Sequence, residues 1–510
     1  MQQQVSTAAG DRLNAAAASF HAGRYDAALD LCQAMVDESP ADPRALHLAA
    51  AALLRLGETE QALALVERAI AAEDGDWTFH STHGCVLHEL ERWDEAIACY
   101  HRALRIVPGR AEVLNNLGRA HHERGEDRQA EECYRRAAAA GGDCLDARYN
   151  LGNLHRQRGD WDDALACYDH CLAARPDWPQ VRLNRALLLL TLGRFVPGWE
   201  EYEWRWRQPG GPPPRDGFAQ PPWGGEPLAG RTILVHGEQG VGDEVMFASC
   251  FPELIAQSRS CWIACDARLA GLFSRSFPTA RVIGVPVGDW PRWRPPAESG
   301  IDVQIAAGSV PKFLRRDESS FPRAVRFLSP DAQRTQIWKR RYDSLGEGPK
   351  IGISWRAGRR ASEQKWRCTE LSDWRALLST PGTHFVNLQH GESGRQTGCV
   401  RRELGVRLAD WDDTDDGHDL DELAARIAAL DLVIAVDNTT VHLAGAVGTP
   451  VWVLLPRAAP WRWLAGGERS PWYGRARLVR QSRPGDWREL LARARDDLAC
   501  STAGNASMVR

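Results

Sequence analysis

The 510-residue sequence lacks several features that mark membrane, secreted or nucleic-acid-binding proteins. No stretch approaches the ~20 consecutive apolar residues that a membrane-spanning helix needs. The amino-terminal residues MQQQVSTAAGDR have no basic region followed by an apolar one, as a signal peptide would. The formal net charge is only -4, so no overall positive field attracts nucleic acid. We therefore expect a cytoplasmic protein with no transmembrane segment and without nucleic acid as its main partner.

The sequence also lacks the cysteine spacing of a disulfide framework, although it contains 13 cysteines. Free thiols in a reducing compartment are the simplest explanation. Cys261 and Cys265 lie in an apolar, strand-like run and are interpreted as core residues rather than metal ligands. Cys99, Cys133 and Cys167 recur every 34 residues, and a repeated small core position explains them better than a row of metal ligands.

A 34-residue period runs through the first 207 residues. Three residue types recur at fixed positions of this period, namely Gly23, Gly57, Gly125, Gly159 and Gly193, then Ala28, Ala62, Ala96, Ala130 and Ala164, and then Tyr100, Tyr134, Tyr168 and Tyr202. Glu91 stands where the glycine series has a gap. A glycine permits the turn between two helices, a small residue lets their backbones approach, and a tyrosine fills the space toward the next unit.

This pattern resembles the tetratricopeptide repeat. It predicts an α solenoid of about six helix–turn–helix units over residues 1–207. Such a solenoid has an extended concave face, and we expect it to hold a protein partner in this groove. The aromatic sequence WEEYEWRWRQ at the end of the last unit is interpreted as a cap that docks the solenoid onto the next domain.

The character of the sequence changes after the repeats. Residues 208–230 are dense in proline and glycine and are interpreted as a linker. Beyond them, short β-branched runs alternate with helical patterns, which is typical of parallel βα units. We predict two Rossmann-like lobes at residues 231–345 and 346–498, followed by a flexible tail at residues 499–510. Ligand sites in such lobes lie outside the carboxyl ends of the strands, across the cleft.

Two of the predicted strand-to-helix turns contain residues suited to chemistry. In the first lobe an apolar strand runs into a glycine-rich loop with Gly240 and Gly242, and a helix begins near Asp243. The spacing is not GxGxxG, so the loop alone is a weak signal. In the second lobe a buried strand ends at Asp437, and the first turn of the next helix presents free N–H groups to an anion. An ordinary helix cap is the alternative interpretation of both turns.

Three sequences in this region, AVDNTTVHLAGAVGTPVWVLLP, GEQGVGDEVMFAS and ISWRAGRRASEQKWRCTEL, are similar to glycosyltransferase family 9, the heptosyltransferase-like group. The resemblance covers residues from about 231 to 482. It implies a GT-B fold and metal-independent, inverting transfer of a sugar from a nucleotide-diphosphate sugar, with no cofactor. It further implies that Asp243 is the general base, with Glu244 as the alternative. The residues that it places at the donor diphosphate are Ser354, Arg356, Lys365, Asp437, Asn438, Thr439, Thr440 and His442. Asn387, Gln389 and His390 end a predicted strand at the same cleft, and we interpret them as nucleotide contacts on that ground.

Some features of the sequence depart from the family or stay open. Asn438 and Thr439 follow the aspartate where the family often has threonine and then glycine, which changes the donor contacts available. No DxD cluster of the kind found in metal-dependent glycosyltransferases stands at a strand end, and the acidic residues 410–416 are interpreted as a surface turn. Residues 456–474, rich in tryptophan and arginine, either close over the cleft or form an aromatic plug between domains.

Three functional hypotheses follow. The leading one is a glycosyltransferase whose repeats recruit a protein or glycan acceptor, or a partner protein. The alternative is a tetratricopeptide scaffold whose GT-B region is a non-catalytic nucleotide-binding or docking module. A hydrolase or epimerase that acts on nucleotide sugars is the third hypothesis. The presence together of Asp243, Arg356, Lys365 and the turn at residues 437–442 favours the first.

Overall fold

The computed structural model describes residues 2–140, 144–208, 218–290, 292–296, 299–322, 325–357, 367–390, 408–411 and 419–503. The chain divides into two compact units, Met1–Pro176 and Asp177–Arg510. None of the helices among the described residues is long and apolar enough to cross a membrane.

The first unit consists of consecutive helices that pack in pairs. Its described helices are α1 (Gln2–His21), α2 (Tyr25–Glu38), α3 (Pro43–Leu56), α4 (Thr59–Ala72), α5 (Trp77–Glu89), α6 (Trp93–Ile106), α7 (Ala111–Glu123), α8 (Asp127–Ala139), α9 (Leu145–Arg158) and α10 (Trp161–Ala174). Alanines of the 34-residue period, such as Ala96 and Ala130, are fully buried where two helices meet. The cysteines Cys99, Cys133 and Cys167 are free and buried, in agreement with the predicted core positions.

The glycine series of the repeat ends the first helix of each pair. Each of these glycines has a left-handed backbone with φ between 70° and 87°. Glu91, which takes the place of the glycine in the third pair, has the same left-handed backbone with φ of 58°. The turn geometry is therefore retained where the residue that favours it is replaced.

The tyrosines of the period pack against their own helix pair and also against the next one. Tyr100 packs within its own helix pair against Gly84, where an added Cβ would lie 2.5 Å from the ring. The same contact joins Tyr134 to Gly118. A glycine leaves room for the ring there. The rings also lie in buried clusters with residues of the next pair, as predicted: Tyr100 with Leu117, and Tyr134 with Leu151.

The second unit begins with one more helix pair, α11 (Pro179–Thr191) and α12 (Phe195–Tyr202), followed by a 3-10 segment at Glu203–Arg207. This pair belongs to the repeat sequence predicted for residues 1–207, whereas the compact units divide at residue 176. The two boundaries differ because α12 buries Trp199 and Tyr202 in the same cluster as the first residues of the α/β region.

The first lobe contains a four-stranded parallel sheet with the strand order β3-β2-β1-β4. Its strands are β1 (Thr232–His236), β2 (Ser260–Asp266), β3 (Arg281–Val285) and β4 (Val303–Ala306). The helices that follow its strands are α13 (Val241–Phe247), α14 (Phe251–Gln257), α15 (Ala270–Ser276) and α16 (Pro311–Leu314). Ile233 of the central strand β1 pairs with Cys261 on one side and Val303 on the other. Cys261 and Cys265 are buried free thiols of β2, and burial raises the pKa of Cys261 to about 12.

The second lobe contains a six-stranded parallel sheet with the order β10-β9-β8-β5-β6-β7. Its strands are β5 (Lys350–Ser354), β6 (His384–Asn387), β7 (Leu408–Ala409), β8 (Leu432–Val436), β9 (Val451–Leu455) and β10 (Ala476–Arg480). The helices around it are α17 (Ala332–Asp343), α18 (Arg375–Leu378), α19 (Leu420–Ala428), α20 (Thr439–Val447) and α21 (Trp487–Ala503). In β8, Ile434 points into one buried cluster and Val433 into another. Both faces are therefore covered, as expected for a parallel sheet.

Helix α17 lies within the predicted bounds of the first lobe but packs against α19 of the second. The indole nitrogen of Trp338 donates a hydrogen bond of 2.5 Å to Glu422, and the guanidinium of Arg334 pairs with Asp419. The predicted border at residue 345 follows the sequence order of the strands. Packing instead assigns the preceding helix to the second lobe.

Candidate functional site

The two turns identified from the sequence lie next to each other in the second unit. The glycine loop follows β1 at the carboxyl end of one parallel sheet, and the turn at Asp437 follows β8 at the carboxyl end of the other. Gly242 makes the closest approach: a Cβ there would lie 3.0 Å from a ring carbon of His442 and 3.7 Å from Cα of Thr439. Any side chain at position 242 would therefore separate α13 from α20.

Asp243, the predicted general base, is paired with an arginine that the sequence did not indicate. Its Oδ1 accepts a hydrogen bond of 2.8 Å from Nε of Arg462 and a second bond from Nη2 of the same guanidinium. The two side chains are 17% and 18% exposed. Both hydrogen bonds go to Oδ1, and no described residue is bonded to the second carboxylate oxygen, Oδ2.

Glu244, the alternative base, makes its contacts inside the first lobe. Its side chain is buried, and one carboxylate oxygen accepts a 2.9 Å hydrogen bond from the backbone N–H of Asp266 at the end of β2. The other oxygen lies where a Cβ on Gly237 would be placed. This position ties β1 to β2, so the geometry favours Asp243 over Glu244 as the residue that meets a substrate.

Asp437 is the second buried carboxylate of the site. Its Oδ2 accepts a hydrogen bond of 2.5 Å from Nη2 of Arg367, which also lies 3.2 Å from the Asp437 carbonyl oxygen. Burial would raise the pKa of Asp437, but the positive charges of Arg367 and Arg462 outweigh burial and lower it. The carboxylate is therefore ionised at neutral pH, and the guanidinium of Arg367 holds it in place.

His442 lies in the second turn of α20 with its ring against Trp463, at a centroid distance of 5.4 Å and an interplanar angle of 21°. Its Nδ1 is 2.8 Å from the hydroxyl of Tyr473, and its Nε2 is 3.7 Å from Oδ1 of Asp437. Burial lowers the pKa of His442 to about 4 despite the nearby carboxylate. The imidazole is therefore neutral at pH 7 and supplies no positive charge to a diphosphate.

Asn438 joins the turn after β8 to the turn after β5. Its amide nitrogen donates hydrogen bonds of 2.7 Å to the hydroxyl of Ser354 and 3.0 Å to the carbonyl oxygen of Arg356. Its amide oxygen accepts a 3.0 Å hydrogen bond from the N–H of Thr440, which caps α20. Three predicted donor-binding residues are thus brought together by a fourth, and their mutual bonds fix the shape of the turn.

Gln389 supports this turn from the next strand. Its side-chain oxygen accepts hydrogen bonds from the backbone N–H groups of Trp355 at 2.9 Å and Arg356 at 2.8 Å. Its amide nitrogen donates to the carbonyl oxygen of His390 at 3.1 Å. Gln389, predicted as a nucleotide contact, therefore acts on the protein backbone, as does Asn387, which accepts from the N–H of Gln389 at 2.9 Å.

The remaining predicted residues are partly accessible or lie outside the description. The guanidinium of Arg356 is half exposed and 3.4 Å from Glu370. Thr439 is half-buried at the first position of α20, next to Gly242. Lys365 and most of the acidic run at 410–416 lie outside the described residues. Among the described residues no group of three or more histidine, cysteine, aspartate or glutamate side chains could hold a metal ion.

The tryptophan- and arginine-rich residues 456–474 form an aromatic plug rather than an open lid. Trp461 and Trp463 are buried, and Trp461 lies 5.5 Å from Trp199 of α12, edge to face. Trp463 covers His442 from the second lobe, and Tyr473 contacts Gly445 of α20. Arg462, between the two tryptophans, reaches Asp243. Of the two interpretations that the sequence left open, the plug agrees with the packing.

A second buried ion pair holds the start of the glycine loop. Arg205, in the 3-10 segment after α12, donates hydrogen bonds of 2.9 and 3.0 Å to the two carboxylate oxygens of Glu238. Glu238 also accepts from the N–H of Gly308 at 2.7 Å. Burial raises the pKa of Glu238, against the effect of the arginine. The aromatic cap predicted from WEEYEWRWRQ is therefore bonded directly to the loop that precedes Asp243.

The sequence analysis missed Arg205, Glu238, Arg367 and Arg462. Arg462 is 219 residues from its partner Asp243, and Arg367 is 70 residues from Asp437. The available signal was the density of arginine and tryptophan in two short segments. It indicated buried cationic side chains without indicating their partners.

The repeats of the first unit match known family models. Models described as tetratricopeptide repeat match residues 19–79, 78–140 and 145–177. The repeats are tetratricopeptide repeats. Solved structures also show similarity. The crystal structure of TTC0263, a thermophilic tetratricopeptide-repeat protein of Thermus thermophilus, is 27% identical, with 36% of this chain and 99% of that one covered and a TM-score of 0.34. PilF of Pseudomonas aeruginosa is 16% identical, with 39% and 87% covered and a TM-score of 0.34.

One relative extends the similarity beyond the repeats. Protein FlbA of Caulobacter vibrioides is 35% identical over 330 residues, which cover 61% of this chain and 54% of that protein. The chain thus spans about half the length of this relative. Because 61% of 510 residues is more than the 207 residues of repeat sequence, the similarity necessarily includes part of the α/β region.

Proposed function

We propose that this protein is a glycosyltransferase of GT-B architecture that transfers a sugar from a nucleotide-diphosphate sugar to a protein or glycan acceptor. The observation that carries the proposal is the contact between the two turns. Asp243 follows a strand of one parallel sheet, and Asn438 and Thr439 follow a strand of the other and begin a helix whose free N–H groups suit an anion. The contact brings these two turns side by side. An acceptor held by the first lobe and a donor held by the second would meet there.

The proposed reaction needs one base and one stabilised leaving group. Asp243 accepts the proton of an acceptor hydroxyl while the hydroxyl oxygen bonds to the anomeric carbon. The bond from that carbon to the diphosphate oxygen breaks, and its electron pair leaves with the nucleoside diphosphate, which inverts the anomeric configuration. A positioned carboxylate contributes typically ~10²–10⁴-fold to such a step.

The donor side offers fixed positive groups for the departing diphosphate. The amino-terminal end of α20 faces the glycine loop at Thr439, and its partial positive charge favours an anion. The half-exposed Arg356 stands on the neighbouring turn, and Lys365 belongs to the same predicted set. Donors that are already oriented stabilise charge without reorganisation during reaction. This supports metal-independent transfer, with the nucleotide sugar as co-substrate and no cofactor.

The tetratricopeptide repeats suggest an interaction with a protein. Because repeat solenoids present an extended binding face, we propose that this unit recruits the acceptor or a partner that presents it. The direct bonds from Arg205 to the glycine loop support a close link between the last helix pair and the reaction site.

A thermal-shift series with UDP, GDP, ADP, CMP and dTDP, each with and without magnesium, tests the donor side. A ligand that binds the native state raises the apparent melting temperature by mass action. We expect a selective shift that does not need magnesium. Asp243→Asn should retain this shift and lose transfer, whereas Lys365→Ala should reduce the shift itself. A wild type that responds to none of the nucleotides would contradict the proposal.

The scaffold function is the second candidate, and one observation favours it. Asp243 is already paired with Arg462, whose guanidinium donates two hydrogen bonds to Oδ1. In a non-catalytic module this pair would only join the lobes. Retained nucleotide binding with no transfer to any acceptor would support this function.

A further inference from the structure

Arg462 stands between the two functional carboxylates of the site. It donates both of its described hydrogen bonds to Asp243 of the first lobe. Its charge also acts on Asp437 of the second lobe, whose direct partner is Arg367. The four side chains thus alternate in charge from the glycine loop to the turn after β8, with Arg462 as the member that acts on both.

The segment that holds Arg462 is tightly constrained. Its neighbours Trp461 and Trp463 are buried, and Arg462 itself lies over the ring of Trp461 at 5.0 Å from the centroid. Two residues later, Leu464 has φ of 59° and ψ of 172°, a backbone conformation that is otherwise confined almost to glycine. Packing of the two tryptophans holds this strained turn, so the backbone that carries Arg462 is fixed. The guanidinium at the end of the side chain can still change its ion partner.

A diphosphate and Asp243 would compete for the same guanidinium. The amino-terminal end of α20 contacts Gly242, the residue immediately before Asp243. An anion bound at that end of the helix would therefore lie close to the ion pair of Asp243 and Arg462. A phosphate offers several oxygens to the planar fork of an arginine and binds it in a bidentate manner, whereas Asp243 presents one oxygen to two nitrogens.

We infer that Arg462 is a positioning residue shared between Asp243 and the donor diphosphate. Without donor it pairs with the carboxylate. When the diphosphate of the donor binds at α20, Arg462 pairs with it instead, and Asp243 becomes available to accept the proton of the acceptor hydroxyl. The base is thus released only in the presence of the sugar donor. This inference rests on the proposed function, because it needs a diphosphate at this turn.

The test measures nucleotide affinity by isothermal titration calorimetry of the full-length chain. UDP, GDP, ADP and dTDP are titrated into the wild type, Asp243→Asn, Arg462→Gln and the double variant. Asp243→Asn keeps the size of the side chain but removes the competing charge. We expect it to bind the preferred nucleotide about tenfold more tightly than the wild type. Arg462→Gln should bind about tenfold more weakly, and the double variant should match Arg462→Gln.

The acidic partner of another buried arginine supplies the control. Arg315 is fully buried and pairs with Glu253 at 2.7 Å, and it also donates to backbone carbonyl groups. Glu253→Gln removes the acidic partner of this arginine as Asp243→Asn does for Arg462. We expect a lower melting temperature and an unchanged nucleotide affinity. Arg462→Lys, which keeps the charge but not the fork, should recover part of the affinity that Arg462→Gln loses.

The outcomes separate the inference from the proposed function. If the wild type binds a nucleotide and Asp243→Asn binds it no more tightly, the shared role of Arg462 is wrong and the proposed function stands. The shared role of Arg462 is also wrong if the double variant keeps the higher nucleotide affinity of Asp243→Asn, because a group other than Arg462 would then cause that increase. If neither the wild type nor the variants bind any nucleotide, both are overturned.

Discussion

The fifth and sixth helix pairs, α9–α10 and α11–α12, follow one sequence pattern but bury their tyrosines differently. In the fifth pair Tyr168 lies against Gly152, where an added Cβ would be 2.9 Å from the ring. In the sixth pair Ala186 takes the place of that glycine, and Tyr202 contacts Trp461 of the second lobe. The sixth pair thus has a methyl group where the fifth pair has only a glycine hydrogen, and Tyr202 belongs to the buried cluster of the α/β region.

The comparison shows how a repeat acquires a second role without losing its local structure. Gly193 retains the left-handed turn between the two helices of the sixth pair, with φ of 70°. Trp199 and Tyr202 of this pair belong to the buried cluster of the α/β region. The repeat pattern therefore determines the turn and the helices, whereas a few side chains decide whether the pair belongs to the array or to the candidate active site.

The largest effect is expected from Trp199→Ala, which removes the main anchor of the sixth pair. Trp199 is 1% exposed, and its indole nitrogen donates a 2.9 Å hydrogen bond to the carbonyl oxygen of Arg315. Truncation of a fully buried tryptophan lowers the free energy of unfolding by about 3–5 kcal/mol. Hydrogen exchange at β1 in increasing denaturant would report this loss in the second unit.

Leu165 is the matched control, because it occupies the lattice position of Trp199 in the fifth pair. Leu165→Ala is expected to reduce protection of α9 in the first unit and to leave β1 unchanged, at a cost of about 2–3 kcal/mol. Equal loss of protection at β1 in both variants would contradict the distinction between the two pairs.

A smaller effect is expected from acid, and it compares a histidine of each unit. Burial lowers the pKa of His47 in α3 and of His442 in α20 to about 4. Between pH 6.5 and 4 the unfolded chain binds a proton that the folded chain does not, so stability falls as the pH is lowered through this window. Each histidine contributes a loss of up to about 3 kcal/mol.

His442→Gln should therefore reduce the fall in the free energy of unfolding of the second unit between pH 6.5 and 4. The fall in the free energy of unfolding of the first unit should be unchanged. Protection from hydrogen exchange at β8 and at α3 would separate the two. The reciprocal variant His47→Gln should affect α3 alone. A pH profile at β8 that His442→Gln does not alter would show that this imidazole is already protonated in the folded state.

Gly152→Ala tests the packing difference between the two pairs directly. It introduces into the fifth pair the methyl group that Ala186 supplies in the sixth, 2.9 Å from the ring of Tyr168 and 3.0 Å from Cβ of Cys167. Because the core there is full, we expect a loss of about 1–3 kcal/mol in the free energy of unfolding of the first unit. Ala186→Gly should leave Tyr202 in place, since that ring is held by its contact with Trp461.

The repeats and the order of the α/β elements could be predicted because they depend on local sequence. The glycine series, the gap at Glu91 and the alternation of apolar strands with helices all reflect backbone preferences within a few residues. The border between the compact units could not be predicted in this way. It depends on where Trp199 and Tyr202 are buried, and their partners in the second lobe are more than 250 residues away in sequence.

The candidate site shows the same division. Asp243 and Asn438 were identified because each begins a helix after a strand, a position that sequence alone reveals. Their partners were not, because an ion pair such as Asp243 with Arg462 depends on tertiary packing and has no spacing rule. The hydrogen bonds that the side-chain oxygen of Gln389 accepts from backbone N–H groups depend on tertiary packing in the same way, and its contact with a nucleotide stays a prediction.

The smallest effect is expected at Glu91, the position where the first unit departs from its own glycine series. Its exposed side chain sits on a left-handed backbone with φ of 58°, which costs a residue other than glycine about 1 kcal/mol. Glu91→Gly relieves this strain, although glycine gives back part of the gain through the entropy of the unfolded chain. We expect the free energy of unfolding of the first unit to rise by about 0.5 kcal/mol. Glu91→Ala, which removes the same carboxylate but keeps Cβ, should give no gain in a denaturation experiment, and an equal rise in both variants would assign the effect to charge instead of backbone strain.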